Sequence, residues 1–269
     1  MNPDPNKLLD TTKSLADLAN SIGQSLIGKN IHRALNGIFL SVFKPFVLNG
    51  IIQQYEIDQF TQGLAYSLEQ IQSENLTADN SLMLIKAFEE VRYRMKEPEL
   101  RDMFIKLISK GFDKTYSDSV KPLFIQILGN MSSDTASLLN LWKPLVSNKT
   151  IDFPYGDIID KTDGHMNPVS KYYFAYSDGQ EIQIINGKQV WKYSVIQAPH
   201  QLSELEYFGL ITIHHDKWFS DNELYYAMEQ YTNYHLNDPL DTDRGKIVLQ
   251  PGLVTITPLG EEFFKIIID

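Results

Sequence analysis

The chain has 269 residues, 43% hydrophobic and 22% charged, which describes a folded protein of one large or two ordinary domains and excludes a disordered chain. It has no cysteine, which rules out disulfides and thiolate metal sites. The net charge of −10 is uneven: residues 1–55 hold Lys7, Lys13, Lys29, Arg33 and Lys44 against Asp4, Asp10 and Asp17, and no acid lies between Leu18 and Tyr55. The remaining body is acidic and disfavours polyanions over most of its surface.

Residues 1–10 are polar and carry two prolines, so no secretory leader is expected and a cytoplasmic location fits the composition. Leu8 to Ala34 reads as helix through Leu15, Leu18, Ile22, Leu26 and Ile31, weakened by Gly23 and Gly28. Leu35 to Ile52 is the most apolar run, but Lys44-Pro45 in its middle argues for buried helix, with an interfacial membrane segment as the alternative. Lys29, His32 and Arg33 share one helical face, and with Lys44 they form the candidate interaction surface for an acidic partner or an anionic membrane.

Helix continues from Glu56 to Ser73. Thr77-Ala78-Asp79 is read as the start of the next, with Leu82, Ile85, Phe88, Val91 and Met95 inward. Pro98 opens a helix with Leu100, Met103, Phe104, Leu107, Ile108 and Phe112 inward. Pro122 opens its partner, with Val120, Leu123, Phe124, Ile127, Leu128 and Met131 inward. Ser132-Ser133-Asp134 caps a further helix carrying Ala136, Leu139, Trp142 and Val146, which Lys143-Pro144 is expected to bend or end.

Composition shifts at Asn148. Tyr172 to Tyr176 and Glu181 to Ile185 read as strands around Ser177-Asp178-Gly179, and Asn186-Gly187 predicts a hairpin into Gln189-Val190-Trp191. Leu202, Leu205 and Phe208 predict a short helix closed by Gly209, followed by a strand over Leu210 to Ile213. Ser220 to Glu223 reads as a capping box for a helix with Leu224, Met228 and Tyr231 inward. Ile247 to Leu249 and Val254 to Ile256 read as a hairpin about a Pro251-Gly252 turn, and Thr257-Pro258 starts a last helix with Phe263, Ile266 and Ile267.

Three segments carry a family resemblance: SIGQSLIGKNIHRALNGIFLSVFKPF; EPELRDMFIKLISKGFDK with SVKPLFIQILGNMSSDTASLL; and LSELEYFGLITI with VTITPLGEEFF. Over about residues 20–145 and 200–265 the chain resembles the Abi-alpha family, bacterial and phage-borne proteins named for an association with abortive infection. Lys121 and Asn130-Met131 depart from that family's usual residues, and residues 148–199 look like an insertion. The resemblance implies a role in phage–host conflict and brings no active site with it.

No phosphate-cradling, nucleophile-elbow or zincin motif occurs. Asp152, Asp157, Asp160, Asp163 and His165 fit no calcium loop and read as a polar loop. His214-His215 reads as a surface pair, since neighbours on a strand face opposite ways. Tyr172, Tyr173, Tyr176, Tyr193 and Tyr207 read as packing aromatics.

The expected architecture is α+β: a helical domain over 1–147, then an α+β domain over 148–269, whose residues 148–199 are a strand-rich insertion and 200–269 a winged-helix-like module. The expected function is defence through protein–protein interaction or self-association, with no catalytic site, cofactor or metal identified. A winged-helix nucleic-acid-binding regulator is the first alternative and a hydrolase with a non-local site the second. Specific DNA binding is disfavoured because the would-be reading helix carries Glu204 and Glu206 and no Lys or Arg.

Overall fold

The computed structural model describes residues 37, 41–46, 49–147, 152–161, 167–176, 182–185, 188–191, 194–220, 225, 228 and 247–268. The fold is α+β, with helices filling the first half and antiparallel strands much of the second. The chain divides into two compact units, Met1–Asn140 with Glu262–Asp269, and Leu141–Glu261.

The first unit is built on helices α1 (Gln54–Glu69), α2 (Ser81–Arg94), α3 (Pro98–Gly111), α4 (Pro122–Asn130) and the start of α5 (Ser133–Ser147). The central helix is α3: it buries Leu100, Met103, Phe104, Leu107 and Ile108 and packs against α1, α2 and α4. Pro98 and Pro122 sit in the first turns of their helices, where a missing amide proton costs no helical hydrogen bond. Ser132 caps α5 by accepting the Thr135 N–H. Residues 41–46 are helical, and Phe43 is buried against the rings of Phe60 and Phe88, so this part of the apolar run is core. The predicted helix over 8–34 lies outside the described residues.

Three local expectations need correction. Helix α2 begins at Ser81, not at Thr77, because the Thr77 N–H is taken by the Phe112 carbonyl and its hydroxyl accepts from Asp79 N–H. The buried face of α2 is Leu84, Ala87, Phe88 and Val91, which leaves Leu82 77% exposed. Leu123 is likewise exposed, and Ile125 is buried on α4. Helix α5 runs through Lys143-Pro144 to Ser147: the Asn140 carbonyl that Pro144 deprives of a helical donor belongs to an exposed residue, where water can serve it.

The second unit holds a five-stranded antiparallel sheet of order β5-β2-β1-β7-β6 and a separate hairpin β3-β4. The strands are β1 (Asp152–Asp160), β2 (Asn167–Tyr176), β3 (Ile182–Ile185), β4 (Lys188–Trp191), β5 (Ser194–Gln197), β6 (Ile211–His214) and β7 (Ile247–Ile256). Helix α6 (Pro199–Tyr207) precedes β6, and α7 (Pro258–Ile267) follows β7. The β3-β4 hairpin has the predicted two-residue connection, with Ile185 opposite Lys188. The helix expected after Ser220 is described at Tyr225 and Met228, both buried; Leu224 and Tyr231 lie outside the described residues.

Strand β1 overturns the polar-loop reading of Asp152, Asp157 and Asp160. It pairs with β2 on one side and β7 on the other, and Phe153 to Ile159 are all buried. Residues 148–199 are therefore not peripheral to the sheet, since they supply its middle strand. Strands β2 and β3 do not pair with each other; β2 runs between β1 and β5. The hairpin expected about Pro251-Gly252 is absent, because residues 247–256 are one strand laid along β1. Pro251 lies just past the last β6–β7 pair, His214 with Leu253, where β7 has a strand neighbour on one side only and a proline is tolerated.

Candidate functional site

The residues of the second and third motif segments bond to one another. In the first unit, Arg94 pairs with the Glu97 carboxylate at 3.1 Å and donates to the Met131 carbonyl, while the Ser133 hydroxyl donates to the same carboxylate. The glutamate before Pro98 thus ties the ends of α2, α3 and α4 together. The lysines of the basic turn reach the last helix: Lys106 Nζ donates to the Ile268 carbonyl and Lys110 Nζ to that of Lys265, cations placed at a helix C-terminus. In the second unit, Gly209 ends α6 at φ +71°. Thr257 N–H donates to the Leu210 carbonyl at 3.0 Å, and its hydroxyl donates to the Gly209 carbonyl at 2.6 Å while accepting Gly260 N–H at 3.0 Å. These motifs knit turns and helix ends.

The chemically richest cluster lies elsewhere in the second unit. Tyr155 and Asp157 are two apart on β1 and so share a face; the phenol donates to Asp157 Oδ1, and His215 Nδ1 stands 3.5 Å from Oδ2. Asp157 is 7% exposed and His215 caps it from the solvent side, its ring edge-on to that of Tyr155. Beside them the Tyr225 hydroxyl accepts the Phe219 N–H and donates to the Gly252 carbonyl, both at 2.9 Å. Burial among Ile158, Met228, Phe219 and Leu249 pushes the Tyr225 phenol above its ordinary value near 10, opposed by the Phe219 amide bond.

His214-His215 is therefore not a plain surface pair, because His215 engages a buried carboxylate. The signal missed in the sequence is the Tyr155-x-Asp157 spacing on an unrecognised strand. What surrounds the imidazole is a carboxylate and an aromatic ring, with no hydroxyl nucleophile on it. Among the described residues no three His, Asp or Glu side chains are grouped to hold a metal. Asp152 accepts from Thr255, while Asp163 and His165 lie outside the described residues.

The predicted interaction surface is described at one position. Lys44 is exposed on the 41–46 helix whose Val42 and Phe43 are core; Lys29, His32 and Arg33 lie outside the described residues. Of the five tyrosines read as packing, Tyr207 is 86% exposed, so that reading fails for it. Tyr172, Tyr173 and Tyr176 lie on β2, and Tyr193 lies outside the described residues. No helix among the described residues is long and apolar enough to cross a membrane.

One further surface feature was not foreseen. A depression of about 390 Å³ opens at the start of α2, lined by Asp79, Asn80, Ser81, Leu82, Met83, Lys86 and Pro122.

A two-unit α+β chain with motifs that knit its turns, an exposed apolar depression and a carboxylate–imidazole pair without a nucleophile is the class of protein these features define. The family profile described as abortive infection alpha matches residues 52–267, and the chain belongs to that family. The matched span takes in the second and third motif segments and residues 148–199, while the first segment, ending at Phe46, falls before it. No curated protein and no solved structure matches the chain significantly.

Proposed function

We propose that the protein serves abortive infection by binding a protein partner through its helical unit. The observation that carries this is the depression at the start of α2, where Leu82 is 77% exposed beside Met83 and Pro122. A leucine left that bare at the rim of a concavity is a side chain for which burial against a partner contributes about 1.5–3 kcal/mol. The polar groups on the same wall, Asp79 and Lys86, offer orientation without a large net charge.

A reading as a nucleic-acid regulator has less support. Helix α6 exposes Glu206 and Tyr207 and carries no cation to neutralise phosphate. The test is phage challenge of cells carrying the gene. Leu82→Glu is expected to abolish protection while the purified variant unfolds at the wild-type midpoint, because the side chain touches little of its own protein. Full protection by a stably folded Leu82→Glu variant refutes the assignment of this surface.

A further inference from the structure

We infer that Trp218 is a pre-positioned anchor for a protein partner whose apolar socket is rimmed by basic side chains. The inference rests on the partner-binding reading above and adds a second contact, on the sheet-bearing unit. Trp218 is 55% exposed, unusual for so large an aromatic side chain, and it sits in the loop that leaves β6.

That loop is pinned on both sides of the tryptophan by buried polar groups. Before it, His215 is held against Asp157, whose other carboxylate oxygen takes the Tyr155 phenol. After it, Phe219 gives its N–H to the buried Tyr225 hydroxyl and packs its ring against the cluster of Ile158, Tyr225 and Met228. The exposed segment between these anchorages is three residues long: Asp216, Lys217 and Trp218. A tryptophan held this way loses little conformational freedom on binding, and such aromatic side chains are the commonest energetic centres of protein interfaces.

Charge selects the kind of partner. At this end of the sheet lie Asp157, Asp216 and Glu206, whose Oε1 accepts the Ile213 N–H two residues before His215. Lys217 is the only lysine in the loop, and the chain as a whole carries −10. An exposed indole can stack on a nucleobase as readily as it fills a protein socket. Three carboxylates around it repel a phosphate backbone and favour a basic protein rim.

The experiment places p-benzoylphenylalanine at position 218 of the full chain, irradiates cells during phage challenge, and identifies the adduct. Trp218→Ala and Trp218→Phe are scored for protection in parallel. The expected result is a covalent protein adduct whose crosslinked peptide is flanked by Lys or Arg. Protection should fall at least tenfold in Trp218→Ala and be partly restored in Trp218→Phe, with unfolding midpoints unchanged. An adduct with nucleic acid or lipid, or wild-type protection by Trp218→Ala, overturns the inference. If Leu82→Glu abolishes protection and Trp218→Ala does not, this anchor is wrong while partner binding through the helical unit stands. If neither substitution changes protection and no protein adduct forms, both fall.

Discussion

Replacing Gly260 by alanine sets helix propensity against backbone sterics at one atom. Gly260 lies in the first turn of α7, where alanine would ordinarily stabilise by about 1 kcal/mol. A β-carbon there would stand 2.1 Å from the Leu210 carbonyl oxygen and 2.9 Å from Ile256 Cγ2. The first of these is backbone and cannot rotate aside. Overpacking of this kind costs about 1–3 kcal/mol and occasionally more. Moving α7 outward would also stretch the bond from Thr257 N–H to Leu210 O and that from Gly260 N–H to the Thr257 hydroxyl, each contributing about 1 kcal/mol. The net expectation is a loss of about 2–4 kcal/mol, lowering the unit's midpoint by on the order of 10 °C. Gly129→Ala is the matched control: its nearest neighbour would be Glu90 Oε2 at 2.9 Å, the end of a flexible exposed side chain, so it should be neutral or stabilise slightly. Trp142, Trp191 and Trp218 are the chain's three tryptophans and all fall within Leu141–Glu261, so urea unfolding followed by tryptophan fluorescence reads the affected unit. A Gly260→Ala protein with a midpoint at or above wild type would show that the Leu210–Gly260 approach does not constrain the fold.

Two further expectations follow from buried groups. Phe104 and Phe124 are fully buried, Phe124 edge-on to Phe263 at 5.3 Å, so aspartate at either position buries an unpaired charge at a cost above about 4 kcal/mol. Loss of the helical unit's cooperative transition by circular dichroism is expected, and an unchanged melting temperature in a soluble variant contradicts the core assignment. The Tyr225 phenol, raised by burial, makes the folded state hold its proton longer than the unfolded chain does. Its contribution is therefore complete below pH about 10 and is lost as pH rises through the folded value. Tyr225→Phe should destabilise by about 1–3 kcal/mol at neutral pH, since it strands the Phe219 N–H and the Gly252 carbonyl. It should also flatten the alkaline part of the stability–pH curve, and an alkaline limb identical to wild type argues against this phenol as its source.

The amino-acid sequence by itself determined the elements whose rules are local. Helices α3 and α4 are legible because a one-sided apolar stripe at helical spacing needs only its own residues, with Pro98 and Pro122 marking the starts. Gly209 at φ +71°, the Ser132 cap and the two-residue β3-β4 connection are likewise set within a few residues. The tertiary structure decided β1, the strand buried over Phe153–Ile159. It contains Pro154, Gly156 and three aspartates, and nothing in its own pattern marks it as the middle of a sheet. Its identity comes from β7, about a hundred residues away. There, Gly252 leaves room for the Tyr155 ring, 2.5 Å from where a β-carbon would stand, and Leu249 fills the space beside Gly156. The same pairing turned an apparent Pro251-Gly252 turn into continuous strand. The Asp157–His215 contact joins residues that only the β1–β7–β6 order brings near. Local rules act through torsions and hydrogen bonds a few residues long, whereas a strand buried on both faces is specified by the surfaces that cover it, and those are written elsewhere in the chain.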